Sequence, residues 1–280
     1  MLQKIKELKI KDNDTYFMES VGDRVVINRN DEGILVLDNQ LSEMLEIPLF
    51  PGLNIHAALY SHSQNSALLL CPRNDCLIFV DLKSKLYDIL PIEKNEKAVF
   101  NTKLYVWYDD IILMATMDGV FYEYVLGGNR LTQLDGEEID NDYPKFYSFW
   151  STTRKYTPIE ISHTPYGYIY GDRITQEYGF YDFDKNTERN IRVPDIEPEE
   201  VIFRNGIWVL GADNQIRIST EKTREDSSIA YDQTSIRLAE GYLVRKIRFI
   251  NFTRHPRIIA LVVSPQIERD MFLEIFELTP

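Results

Sequence analysis

The stretch Asn65 to Ile92, NSALLLCPRNDCLIFVDLKSKLYDILPI, decides the fold. Three apolar runs, Ala67 to Cys71, Cys76 to Val80 and Leu86 to Leu90, are separated by Pro-Arg-Asn-Asp and Asp-Leu-Lys-Ser-Lys. Runs of about five β-branched, aromatic or leucine residues, broken so soon by turn residues, are strand signals, because helices need longer stretches. The segment predicts an antiparallel meander.

The same layout recurs along the chain. Before it, Tyr16 to Ser20, Val25 to Asn28, Gly33 to Leu37 and Leu45 to Leu49 form a first unit, and His56 to Ser61 supplies the opening strand of the second. A third unit takes Lys103 to Tyr108, Ile111 to Thr116, Val120 to Leu126 and Arg130 to Leu134. The fourth takes Phe146 to Trp150, Tyr166 to Tyr170, Gly179 to Phe183 and Asn190 to Val193, with an insertion from Ser151 to His163. The fifth takes Val201 to Arg204, Ile207 to Gly211, Gln215 to Ser219 and, after a polar loop from Glu221 to Ser228, Thr234 to Ala239. The sixth has Leu243 to Phe252, Ile258 to Val263 and Met271 to Leu278, one strand short. The alternating segment Ile5 to Ile10 has no other partner and is expected to complete it.

Six units in 280 residues average roughly 47 residues each, the length of a four-stranded propeller blade. The whole chain thus resembles six-bladed β-propellers, and the resemblance implies an all-β fold, a single β-propeller domain over residues 1–280, with the last blade completed by the N-terminal strand. It carries neither the Gly-His and Trp-Asp pairs of WD40 repeats nor a recurring double glycine of the kelch kind, since Gly127-Gly128 occurs once. Five or seven blades would follow from a different division of the fifth unit, and a pair of β-sandwiches is the structural rival.

Composition narrows the function. With 31 Lys plus Arg against 44 Asp plus Glu, the net charge of −13 argues against nucleic acid or an anionic membrane as partner and favours a basic protein. No stretch approaches the roughly 20 apolar residues of a membrane span, and the charged N-terminal segment lacks an apolar signal region, so a cytoplasmic, monomeric protein is expected. Cys71 and Cys76 flank one turn and are expected to stay free thiols in small apolar positions; C-x4-C without a second pair gives no zinc site.

Each predicted turn between second and third strands carries an Asp: Asn30 to Gly33, Arg73 to Asp75, Met117 to Gly119, Gly171 to Arg173, Gly211 to Asn214 and Gln266 to Asp270. Turn chemistry explains each singly. Together with the connections Gly136 to Asp142 and Asp195 to Glu200, they predict an acidic loop face. The partner-binding candidates on it are Glu137, Glu138, Asp140, Asp142, Asp172, Glu197, Glu199 and Glu200.

Two other compositions stand out. Thirteen aromatic residues lie between Tyr143 and Phe183, and Trp150, Arg154, Tyr156 and Tyr168 are candidates for stacking on a sugar, base or peptide, with core packing as the alternative. The segment Arg245 to Arg257 is basic within an acidic chain and is expected to pair with the protein's own acidic loops or to form a solvated blade edge, with contact to RNA as the alternative.

Catalytic patterns are missing from the sequence. His56, His62, His163 and His255 have no metal spacing, and there is no G-x-S-x-G elbow, P-loop or G-x-G-x-x-G. Asp182-Phe-Asp184-Lys-Asn186 starts like a calcium loop, but Thr187 and Val193 stand where Gly and Glu belong. No catalytic residue, metal or cofactor is assigned. The leading expectation is a non-enzymatic interaction propeller that captures a basic protein, one form being a bacterial immunity protein that neutralises a toxin. The alternatives are a metal-dependent lactonase or hydrolase with a motif-less channel site, and a small-ligand module built on the aromatic fourth unit.

Overall fold

The computed structural model describes residues 2–10, 14–61, 65–128, 130–154, 160–164, 167–172, 177–182, 187–191, 200–204, 206–223, 229–251, 256–264 and 270–279. Its strands are β1 (Leu2–Ile10); β2 to β5 (Met18–Val21, Arg24–Arg29, Gly33–Leu37, Glu43–Pro48); and β6 to β9 (Ala57–Ser61, Ser66–Cys71, Cys76–Asp81, Leu86–Pro91). Next come β10 to β13 (Thr102–Trp107, Ile111–Thr116, Phe121–Val125, Leu131–Leu134), helices α1 (Gly136–Asp142) and α2 (Pro144–Thr153), and β14 to β17 (Glu160–Thr164, Gly167–Asp172, Glu177–Asp182, Thr187–Ile191). The chain then forms β18 to β21 (Glu200–Arg204, Ile207–Ala212, Gln215–Thr223, Ile229–Arg237) and β22 to β24 (Leu243–Asn251, Arg257–Val263, Met271–Leu278).

Among the described residues these make six four-stranded sheets, each running in chain order except the last, which is ordered β1-β24-β23-β22. The expected pairing of the first strand with the last is present: β1 runs antiparallel to β24 from Leu2 opposite Leu278 to Ile10 opposite Met271. The protein is all-β, with the successive four-stranded blades of β-propeller architecture.

The strands group into two compact units, Met1–Leu49 with Ser162–Tyr166 and Val193–Pro280, and Phe50–Ile161 with Gly167–Arg192. In the first unit β23 shows why its run RIIALVV is continuously apolar. Ile258, Ala260 and Val262 pack with Val209, Ile216 and Ile218 of the fifth sheet, whereas Ile259, Leu261 and Val263 pack with Met18, Val25 and Ile27 of the first. A sheet buried on both faces loses the hydrophobic-polar alternation of a half-exposed strand. Gly211 belongs to this packing: a Cβ there would stand 2.7 Å from Ile247 Cδ1, so β19 approaches β22 as closely as it does only because the residue is glycine.

The second unit repeats the arrangement. Ile112 and Met114 of β11 join Leu68, Leu70 and Leu77 of the second sheet, while Leu113 and Ala115 face Ile139, Phe146, Phe149 and Trp150 of the two helices. Tyr122 is fully buried in the cluster with the second sheet, and its hydroxyl has no hydrogen-bond partner among the described residues. Tyr122→Phe therefore removes a desolvated polar atom at almost constant volume, and a denaturant midpoint equal to or above wild type, by up to about 1 kcal/mol, is the expected result.

The structure corrects three readings of the sequence. Phe146 to Trp150 is not the opening strand of the fourth sheet but part of α2; Phe146, Phe149, Trp150 and Thr153 are its buried positions, and that spacing of three and four is helical. Pro144 occupies the first turn, where its missing N–H costs nothing. The opening strand is β14, which starts inside the segment read as an insertion and ends one residue beyond it. The connection Gly136 to Asp142 is helix α1, and the polar loop read from Glu221 is strand through Thr223, with Glu221 opposite Tyr231. Cys71 and Cys76 face each other across the β7–β8 hairpin as buried, free thiols. Their mutual hydrogen bond and burial push the Cys71 thiol well above its ordinary range.

Candidate interaction site

The sequence from Asp135 to Asp142, DGEEIDND, has five carboxylates and no cation. Its start is a capping box: Asp135 accepts the backbone N–H groups of Glu137 and Glu138 at 2.8 Å each, and the Glu138 carboxylate accepts the Asp135 N–H at 2.8 Å. Asp135, Glu137 and Glu138 thus sit at the helix end where the macrodipole favours negative charge. Asp140 and Asp142 sit at the opposite end, where it disfavours them, and no basic residue occupies the last turn. Helix stability accounts for the first three acids and not for the last two.

Ile139 is the buried anchor of α1, and Glu137, Glu138, Asp140 and Asp142 are all exposed. None of the four meets a Lys or Arg among the described residues. Five carboxylates elsewhere do meet one: Glu46 pairs with Arg29, Asp75 with Lys97, Asp232 with Lys222, Asp270 with Lys9 and Glu277 with Arg257. Behind the helix, the Tyr143 hydroxyl donates to Glu123 Oε2 at 2.6 Å, which pushes the phenol up to about 12 and pins the α1–α2 corner to β12. The acidic surface is therefore held by a rigid support.

The remaining candidates are placed differently. Glu200, on β18, belongs to a part-buried network in the first unit. Arg248 of β22 donates through Nε and Nη2 to both carboxylate oxygens of Glu19 on β2, each at 2.7 Å, and through Nη1 to Glu200 at 2.9 Å. Lys246 stands 3.7 Å from the other Glu200 oxygen. The opening strands of the first, fifth and sixth sheets are joined by this network. The basic segment pairs internally at Lys246, Arg248 and Arg257, with carboxylates on strands, Glu200, Glu19 and Glu277, where acidic loops were expected.

Glu197 and Glu199 lie outside the described residues, as does Tyr156. Asp172 and Tyr168 lie on β15, in register with Glu177 and Tyr181. Trp150 is buried, with its indole N–H donating to the Thr116 carbonyl at 2.9 Å and its ring edge-on to Phe121. The Arg154 guanidinium covers the ring at 4.6 Å. Core packing accounts for Trp150 and leaves its face closed to a stacking ligand.

Within single sheets, the outgoing chain is tied to the turn between second and third strands. The Leu49 N–H donates to the Glu32 carbonyl, Ile92 to Asp75 and Leu238 to Asn214, each at 2.8 Å. Turn and exit share one end of each of these sheets. Among the described residues, no group of three His, Cys, Asp or Glu could hold a metal ion, and no helix is long and apolar enough to cross a membrane.

No family model matches the chain, and no curated protein matches it. Among solved structures, the β-propeller domain of Cps50 (Swd1) from Myceliophteria thermophila aligns over 100% of both chains at 10% identity, with a TM-score of 0.48.

Proposed function

We propose that the chain acts as one non-enzymatic protein-interaction β-propeller and binds a basic protein through the acidic surface of α1 and its neighbouring loops. The observation that carries this reading is the set of unneutralised carboxylates of α1, Glu137, Glu138, Asp140 and Asp142, in a protein of net charge −13. Two of those acids work against their own helix. A toxin-neutralising immunity protein is one form this function takes. The hydrolase alternative requires carboxylates free to hold a metal, whereas Glu19 and Glu200, which converge in the first unit, do so on Arg248.

The reading predicts steered association. Glu137→Gln, Glu138→Gln, Asp140→Asn and Asp142→Asn together preserve the capping box, since Gln serves at its third position, and remove four charges. Partners recovered from native lysate by the wild type should carry an excess of Lys and Arg. Their on-rate should fall about tenfold or more in the quadruple variant and fall steeply with salt above 0.1 M, where the Debye length is about 10 Å. Reversal of Glu43 and Glu240, exposed on the other unit, should leave the rate unchanged. Neutral or acidic partners, or a quadruple variant that associates at the wild-type rate, would overturn the proposal.

A further inference from the structure

The first unit contains a cavity of about 600 Å³ where the sixth sheet meets the segment leading into β2. That volume lies within the range of sites that enclose small organic molecules. Leu261, Val263 and Met271 form its apolar part. Thr15, Tyr16, Arg245, Lys246 and Ser264 contribute the polar lining, and no carboxylate of a described residue is among it.

Three observations point to a ligand. First, Thr15 is 2% exposed, and its Oγ1 has no hydrogen-bond partner among the described residues. A buried hydroxyl pays the desolvation cost of a polar group unless something enters the cavity to pair with it. Second, Arg245 stands at a register break between Val244 and Lys246 in the β22–β23 pairing, where an extra residue on one strand re-aims its side chain. Third, Arg248 and Lys246 pair with Glu19 and Glu200, whereas Arg245 makes no ion pair among the described residues.

We propose that this cavity binds a small amphipathic monocarboxylate, its head group on Arg245 and the Thr15 hydroxyl and its apolar body against Leu261, Val263 and Met271. A guanidinium fork matches a carboxylate with two parallel N–H···O bonds, so the one guanidinium in the lining suits a single carboxylate head group. The site shares no residue with α1 and does not depend on the partner proposed above.

Isothermal titration with the straight-chain carboxylates from butanoate to decanoate tests the assignment. Affinity should rise with length by up to about fourfold per methylene until the cavity is full. The alcohol and the ammonium analogue of equal length should bind at least about tenfold more weakly, because neither can use the guanidinium fork. Arg245→Gln should weaken carboxylate binding at least about tenfold while leaving alcohol binding and the melting temperature as they were, since Arg245 is exposed. Thr15→Val, similar in shape, should weaken the carboxylates alone and raise thermal stability in their absence. The proposal is overturned if no carboxylate of the series binds, if acetate or inorganic phosphate binds as well as octanoate, or if Arg245→Gln and Thr15→Val both bind octanoate as the wild type does.

Discussion

Deletion of residues 1–11 lowers the melting temperature by roughly 10–20 °C or leaves an aggregating protein, at 2–4 °C per kcal/mol for a chain of this size class. The reason is the amount of structure that β1 contributes to the sixth sheet. Leu2 is buried with Ile202, Val209 and Phe276, and Ile10 is buried in a different cluster with Met18 and Leu273. Two buried aliphatic side chains contribute about 3–6 kcal/mol between them, against a total stability of about 5–15 kcal/mol. Lys4 also leaves its ion pair with Glu274, at 3.0 Å, and Glu274 is only 7% exposed. With β1 gone, β24 becomes an open edge whose N–H and C=O groups invite pairing with another chain. Size-exclusion chromatography and calorimetry of the truncated protein check this, and a synthetic peptide of residues 1–11 should restore much of the lost stability by adding the strand in trans. A truncated monomer that melts with the full chain would refute the structural role given to β1.

Arg248→Met should cost about 3–5 kcal/mol, the usual penalty for removing one partner of a buried ion pair. The Arg248, Glu19 and Glu200 side chains are only 16%, 11% and 19% exposed, so losing the guanidinium leaves two carboxylates in a poorly solvated place. Arg248→Met combined with Glu19→Gln and Glu200→Gln should recover a large part of the loss, because the penalty belongs to stranded charge rather than to missing attraction. Urea unfolding of the three proteins, wild type, single and triple variant, decides it. A single variant as stable as wild type, or a triple variant no better than the single, would show that the network does not hold the three sheets together.

The sheet architecture was legible because most strands are short apolar runs cut by turn residues. In the second unit, the runs read as Ala67 to Cys71, Cys76 to Val80 and Leu86 to Leu90 differ from the observed strands by one residue at an end. The fourth sheet was misread where two periodicities compete. Phe146, Phe149 and Trp150 are spaced for a helix, but Tyr147 lies between them, and four aromatic residues in five resemble a strand. The helix α1 carried its own signal in Asp135 and Glu138, three residues apart, which is the spacing of a capping box. Glu221 was taken for loop because a polar residue late in a strand lacks the hydrophobic mark; its carboxylate accepts the Trp208 indole N–H at 3.1 Å.

Of the candidate site residues, the exposure of those on α1 could be read from composition alone, since dense like charge stays at the surface. Glu200 could not be separated from them in the same way. Its cation, Arg248, lies 48 residues along the chain, and the other carboxylate on that cation, Glu19, lies 229 residues from it. Spacing that long leaves no local trace. The cavity beside Arg245 was hidden for the same reason: Thr15 and Ser264 are ordinary residues until two distant segments bring them together.

The pairing of β1 with β24 also sets an order of events during synthesis. The ribosome delivers residues at about 5–20 per second, so β1 emerges some tens of seconds before its partner exists. Throughout that interval it is a nascent strand without a sheet. Lys4, Lys6, Glu7 and Lys9 suit that wait, because closely spaced charges on a strand discourage pairing with neighbouring chains on a polysome. Only Leu2 and Ile10, at its two ends, become buried, so the strand stays soluble alone and gains its hold when β24 arrives.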